Sequence, residues 1–217
     1  MFFWSREDSQ TILSSYLNPN KNTVSLWSHN CHIACQDALT MDSNSQIGGL
    51  NPDRTPKTVE IDEFHFFKRK NNVGRIIDAQ CVFGMIESGT RKGLLFSVPD
   101  RTADTLLCMI SDHVLPGTII ISDKWRYYVA LRDVPDYTDL TVNHSLNFVS
   151  SDDPMVHTKN IENLWLHVKR RFKIQYGTTR DMLDGFLCET MYKSLYADKP
   201  KRLNRFLISL AETFQLN

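Results

Sequence analysis

Between residues 57 and 123 the sequence sets three strand-like runs a few polar residues apart, then a helix, then a fourth strand. That order narrows the fold more than any other feature. Lys57 to Phe67 is rich in β-branched and aromatic residues, apolar on both faces of its alternation, as suits a strand covered on both sides. Asn71-Asn72-Val73-Gly74 predicts a turn, Ala79 to Glu87 a second strand, Ser88-Gly89-Thr90 a turn, and Gly93 to Val98 a third strand. Short polar turns join antiparallel neighbours, so these three form a meander. Asp100 or Thr102 caps a helix running to about Val114, with Leu106, Leu107, Ile110 and Val114 on its apolar face. Pro116-Gly117 stops that helix, and Gly117 to Asp123 reads as a buried strand. A helix between two strands implies a parallel crossover, which puts the fourth strand beside the first.

Lys124 to Arg132 reads as a short helix, Leu140 to Val142 as an edge strand, and Asn143 to Val156 as an irregular loop. In His157 to Lys173 the apolar residues Ile161, Leu164, Trp165, Val168 and Phe172 fall at offsets 0, 3, 4, 7 and 11, one stripe of a core-facing helix. The elements thus run β-β-β-α-β-α-β-α, an α/β fold whose mixed sheet has three antiparallel strands, then parallel additions, with helices on both faces. Asp181 to Tyr196 and Arg202 to Phe214 add two amphipathic helices.

Ahead of this lie Ser9 to Tyr16 and Asn22 to Leu39, two helical stretches around the turn Asn18-Pro19-Asn20 that suggest a helix-turn-helix remnant. The expected division is therefore 1–40 for this remnant, 41–56 for a Ser-, Asn-, Gly- and Pro-rich linker, 57–176 for the main domain and 177–217 for the C-terminal helices. Five scattered cysteines do not describe a disulfide framework and point to a reducing compartment. Cys31 and Cys35 are one helical turn apart, with His29 and His32 nearby. No second Cys/His pair follows at zinc-finger spacing, so packing is the expectation there. No apolar run reaches the ~18 residues of a membrane span, so no membrane partner is expected. Formal charge is zero. Basic residues nevertheless cluster at Lys68-Arg69-Lys70 with Arg75, at Lys169-Arg170-Arg171 with Lys173, and between Lys199 and Arg205. Such clusters track a phosphate backbone or are simply solvated faces.

Three acids stand out. Asp62 interrupts the first strand, Asp123 closes the fourth at a carboxyl end, where α/β sheets commonly hold ligands, and Glu162 lies just off the apolar stripe near the start of its helix. Singly, each has a plain structural reading: Asp62 pairs with Arg75 or caps a bulge, and Asp123 is an N-cap for the segment after it.

Val59-Glu60-Ile61-Asp62-Glu63, Val82-Phe83-Gly84, Val98-Pro99-Asp100-Arg101, Ile120-Ile121-Ser122-Asp123 with Trp125, Val142-Asn143-His144-Ser145 with Asn147-Phe148-Val149, and His157-Thr158 with Ile161-Glu162 occur in that order. These blocks resemble those of Merlin-type DNA transposases and their ISXO-like insertion-sequence relatives. The resemblance implies a ribonuclease H-like (RNase H-like) fold. It also implies a D-D-E triad of Asp62, Asp123 and Glu162 that binds two Mg²⁺ or Mn²⁺ ions for DNA strand cleavage and transfer. Double-stranded DNA, as transposon ends and target, is the implied partner, and a homo-oligomer the implied assembly. The cellular site would be the nucleus for a Merlin-like eukaryotic chain, otherwise the bacterial cytoplasm or nucleoid. Relatives carry more DNA-binding sequence ahead of this point, so a truncated or decayed copy is expected. A catalytically silent DNA- or protein-binding module is the competing reading.

Supporting positions are Glu63, on the opposite face of its strand from Asp62, His157 and Asn160, a few residues before Glu162, and His144, which lies near the site or orders its own loop. Lys68, Arg69, Lys70, Lys124, Lys169, Arg170 and Lys173 are candidate phosphate contacts, and Trp125 a candidate base-stacking residue. Phe64 and Phe67 depart from the resembling pattern, adding bulk beside the active strand where a small residue and a glycine are expected.

Overall fold

The computed structural model describes residues 2–8, 10–41, 45–66, 80–123, 131–142, 157–174 and 179–215. In chain order the elements are α1 (Phe2–Ser5), α2 (Gln10–Leu17), α3 (Lys21–Met41), β1 (Ile47–Gly48), β2 (Thr58–Phe66), β3 (Gln80–Glu87), β4 (Gly93–Val98), α4 (Ala103–His113), β5 (Val114–Leu115), β6 (Thr118–Asp123), β7 (Tyr137–Val142), α5 (Lys159–Ile174), a 3-10 turn (Arg180–Met182), α6 (Leu183–Leu195) and α7 (Lys199–Phe214). They build two compact units. One is continuous, 45–166, and the other joins 1–44 to 167–217.

The continuous unit is built on a five-stranded sheet of order β4-β3-β2-β6-β7. β2, β3 and β4 form the antiparallel meander, and β6 pairs parallel to β2, as the crossover through α4 requires. β7 adds parallel to β6 at the edge, and begins three residues before the expected Leu140. Of the two anticipated residues, Thr102 caps α4 and Asp100 braces it. Thr102 Oγ1 accepts from Thr105 N, and Asp100 Oδ1 accepts from Thr102 N and from the Thr102 and Thr105 hydroxyls. Three hydroxyl and amide donors hold the Asp100 carboxyl below its usual range. The Phe96 ring of β4 stacks on His113 at 4.2 Å, so α4 covers the face that carries Phe83 and Phe96. The first half of α5 covers the other face. A mixed sheet in this order, with helices on both faces, is the ribonuclease H-like fold.

Within the stretch expected to be a linker, Ile47–Gly48 instead pairs with Val114–Leu115 as a two-residue parallel sheet. Burial explains it: Ile47 is 1% exposed, and Gly48 N donates to Glu87 Oε2. Gly48 has φ +81, and a Cβ there would stand 2.3 Å from Thr118 Oγ1. Both the conformation and the close approach require glycine.

In the other unit α2 and α3 meet at Asn18–Asn20, near the anticipated turn. Cys31, Ala34, Cys35, Tyr192, Phe206 and Leu210 form its core, with Trp4 stacked on Phe206. Cys31 and Cys35 are packing residues, and burial pushes the Cys31 thiol up to about 12. Buried Glu189 accepts from Arg171 Nη2 and Lys193 Nζ, both at 2.6 Å, and stands 3.0 Å from His32 Nε2. Burial raises the Glu189 carboxyl, but Lys193 and Arg171, with His32, pull it well below the carboxylate range. Arg202 is likewise buried: its guanidinium donates to the carbonyls of Ser5, Lys193 and Tyr196 and to Glu7 Oε1. Arg171 and Arg202 therefore leave the solvated basic clusters in which the sequence set them.

Candidate active site

β2 carries two acids two residues apart, which the strand's alternation turns to one face. Glu60 is fully buried and Asp62 half-buried. The parallel register runs Thr58↔Ile119, Val59↔Ile120, Glu60↔Ile121. Two residues beyond the last pair, Asp62 and Asp123 fall on the same face of the two neighbouring strands. That face also carries Gly84, opposite Asp62 on β3, and Leu95 beyond it on β4.

α5 can approach this face because two positions on it lack side chains. A Cβ on Gly84 would lie 2.6 Å from Cζ2 of Trp165, and one on Gly93 would lie 3.1 Å from Cδ2 of Leu164. The apolar stripe of the helix thus settles into a notch: Ile161 is fully buried, Trp165 3% exposed and Leu164 6%. Glu162, one position round from Ile161, stays half-buried on the first turn.

The start of α5 is tied down from the sheet. A helix begins with unsatisfied amides, usually met by the side chain of its own N-cap residue. Here Glu60 Oε2 takes the amides of Asn160 (2.8 Å) and Ile161 (2.9 Å), while its Oε1 takes Asn160 Nδ2 and the Ser88 hydroxyl. Thr158, the local N-cap candidate, donates its hydroxyl to Glu162 Oε1 at 3.3 Å. The Trp165 indole donates from Nε1 to Asp62 Oδ2 at 3.0 Å. The Phe64 ring stands 5.7 Å from that of Trp165. The bulk that the sequence showed as a departure thus packs against the tryptophan.

Asp62, Asp123 and Glu162 therefore occupy two adjacent strands and one helix on a single side of the sheet. As donors they are all oxygen, the set that hard divalent cations take. Among the described residues no three His, Cys, Asp or Glu side chains already converge on one point. Mg²⁺ needs no such all-protein cage, since it keeps waters and substrate phosphate as its remaining ligands.

Asn160 serves the helix start through Glu60. His157 Nδ1 stands 3.5 Å from Glu60 Oε1, an ion-pair distance for the protonated ring. Glu63, on the other face, helps burial raise the Cys81 thiol to about 11. Lys169, Arg170 and Lys173 are exposed on the second half of α5, where Arg170 Nη2 lies 3.4 Å from His167 Nδ1. Lys68, Arg69, Lys70, Arg75, Lys124, Trp125, His144 and Phe67 lie outside the described residues.

Glu60 is a functional position that the sequence blocks contain without marking its role. Its signal was available: a carboxylate inside a buried apolar strand must find donors, and the start of a following helix supplies amides. Gly84 and Trp165 were seen, but not that they interlock or that the indole reaches Asp62.

An uncharacterized transposase-like protein of Haemophilus influenzae is 29% identical over 96 residues, 44% of this chain and 75% of that protein. Among solved structures, the catalytic core domain of BIV integrase is 13% identical with a TM-score of 0.41, covering 63% of this chain and 81% of its own. The HTLV-2 integrase catalytic core domain in complex with magnesium (dimeric form) is 10% identical with a TM-score of 0.38, covering 67% and 86%. The ISXO2-like transposase domain matches residues 57–194, well over half of the chain. The chain belongs to the ISXO2-like transposase domain family.

Proposed function

We propose that this chain is the catalytic part of a DNA transposase, a metal-dependent polynucleotidyl transferase that cuts DNA strands and joins the freed 3′-hydroxyl to a new strand. Asp62, Asp123 and Glu162 are its carboxylates, and Mg²⁺ or Mn²⁺ its ions. The observation that supports the reading is that Asp62 and Asp123 share one face of neighbouring parallel strands, paired as far as Glu60 and Ile121, and that the helix bearing Glu162 crosses that face. Membership of the transposase family supports it.

Two divalent ions about 3.5–4 Å apart would supply an activated attacking oxygen and a stabilised leaving oxygen. The chain's own part is to present oxygens from hydrogen-bonded elements. Asp62 and Asp123 project from the sheet, and Glu162 from a helix turn whose Thr158 hydroxyl orients its carboxylate. Lys169, Arg170 and Lys173, with Lys68, Arg69, Lys70 and Lys124, hold phosphates without reading sequence. Trp125 is the residue proposed to stack on a base near the cut, and His144 a supporting residue of the site. The partner is double-stranded DNA, handled by a homo-oligomer. The setting is the nucleus of a eukaryotic host carrying a Merlin-type element, or otherwise the nucleoid.

Nicking of an end-labelled duplex in Mg²⁺ or Mn²⁺ tests the reading, with Asp62→Asn, Asp123→Asn and Glu162→Gln as controls. Each substitution is expected to abolish metal-dependent product while leaving the fold intact by circular dichroism. A wild-type chain that nicks no better than these variants overturns the catalytic reading in favour of a binding module derived from a transposase.

A further inference from the structure

Glu162 is bracketed. On its N-terminal side the amides of Asn160 and Ile161 are held by Glu60 of β2, and on its C-terminal side Trp165 donates to Asp62 of the same strand. We propose that Glu60 and Trp165 are positioning residues: a two-point clamp that sets the separation of the Asp62 and Glu162 carboxylates by fastening the first turns of α5 to β2. The proposal rests on the reading of those two acids as metal carboxylates, and extends it to residues that touch no ion.

Three features separate this clamp from ordinary core packing. Glu60 is fully buried, yet its oxygens go to the start of the helix and to Ser88, so the capping of α5 is made by the strand that carries Asp62. The hydroxyl that would ordinarily cap the helix, that of Thr158, is thereby turned to Glu162 itself. The indole lies over a glycine that leaves it no room to withdraw toward the sheet, with Phe64 also against it, and its one polar atom meets Asp62 Oδ2. A buried indole N–H needs an acceptor, but many acceptors would serve stability. This one also fixes the rotation of a carboxylate proposed to hold metal. Groups that orient metal ligands from behind typically change metal affinity or activity by about 10–100-fold when removed.

Trp165→Phe keeps a ring in the notch and deletes only the donor. Glu60→Gln keeps the shape and one carbonyl acceptor but loses the charge and the second acceptor. Both are measured in the whole chain for Mn²⁺ binding by electron paramagnetic resonance, for the Mn²⁺ dependence of nicking, and for duplex affinity. Measurements are made at a temperature where near-ultraviolet circular dichroism shows each variant folded. The expected result is about a tenfold or greater rise in the Mn²⁺ concentration for half-saturation, in both binding and nicking, with duplex affinity unchanged. Variants that bind Mn²⁺ as wild type does, even if they melt earlier, overturn the clamp and leave the catalytic reading standing. A wild-type chain whose Mn²⁺ binding is indifferent to Asp62→Asn overturns both.

Discussion

Gly84→Ala isolates the fit between the sheet and α5, and its sign is informative. In an uncrowded strand alanine is better than glycine by about 0.5–1 kcal/mol, because glycine loses more backbone freedom on folding. At Gly84 the new methyl would stand 2.6 Å from Cζ2 and 2.9 Å from Cη2 of Trp165, and 3.3 Å from Cδ1 of Ile161. The first two belong to a rigid ring with Phe64 against it, so the helix or the indole must shift. Overpacking of this kind costs about 1–3 kcal/mol. Loss of the bond from Nε1 to the Asp62 carboxylate adds about 1.5–3 kcal/mol if the ring withdraws. Against the backbone gain, the expected net loss when the ring withdraws is about 1.5–5.5 kcal/mol, read from urea unfolding followed by far-ultraviolet circular dichroism. In a Trp165→Leu background the same substitution should become neutral or stabilising, since the obstructing ring is gone. A Gly84→Ala chain as stable as wild type, or a loss that persists in the Trp165→Leu background, would refute the interlock.

Other outcomes follow from the same geometry. Gly93→Ala should cost less than Gly84→Ala, within about 1 kcal/mol, because its nearest neighbour is a terminal methyl of Leu164, which can turn aside; paired urea curves check this. Glu189→Ala leaves Arg171 and Lys193 buried without their shared acceptor and should destabilise by about 3–5 kcal/mol. The depressed Glu189 carboxyl stabilises the fold above its unfolded value of 4.5, and that stabilisation drains away as pH falls below it toward the lower folded value. Urea midpoints of wild type should therefore fall more steeply in acid than those of Glu189→Gln. Cys108 is exposed, whereas Cys31, Cys35 and Cys81 are buried, with Cys31 pushed up to about 12 and Cys81 to about 11. Iodoacetamide at pH 8 should accordingly alkylate Cys108 first, as peptide mass mapping will show.

Much of the sheet was legible because its signals are local. The meander followed from three apolar runs divided by short polar turns, and the parallel fourth strand from a helix with a recognisable cap at Asp100 and Thr102. Position along the sheet was less legible. That Asp123 shares a face with Asp62 depends on a register in which Val59 pairs with Ile120, which no single stretch displays. The buried roles of Glu60, Arg171 and Arg202 were hidden for a different reason. A charged side chain reads as solvated until its partners are known, and here they lie far along the chain: Asn160 for Glu60, Glu189 for Arg171, and Ser5 for Arg202. The β1–β5 pairing escaped because two residues are too few for any periodicity.

The unit assembled from 1–44 and 167–217 bears on how the protein is born. Its helices α1 to α3 leave the ribosome long before α6 and α7 exist to receive them, and the guanidinium that ties Ser5 to Lys193 and Tyr196 follows only at residue 202. The uninterrupted stretch 45–166 meets no such delay and can fold while synthesis continues. A ribosome halted once 45–166 has emerged should therefore display a protease-resistant middle behind a still-digestible first segment, and 1–44 would close only once 167–217 has followed.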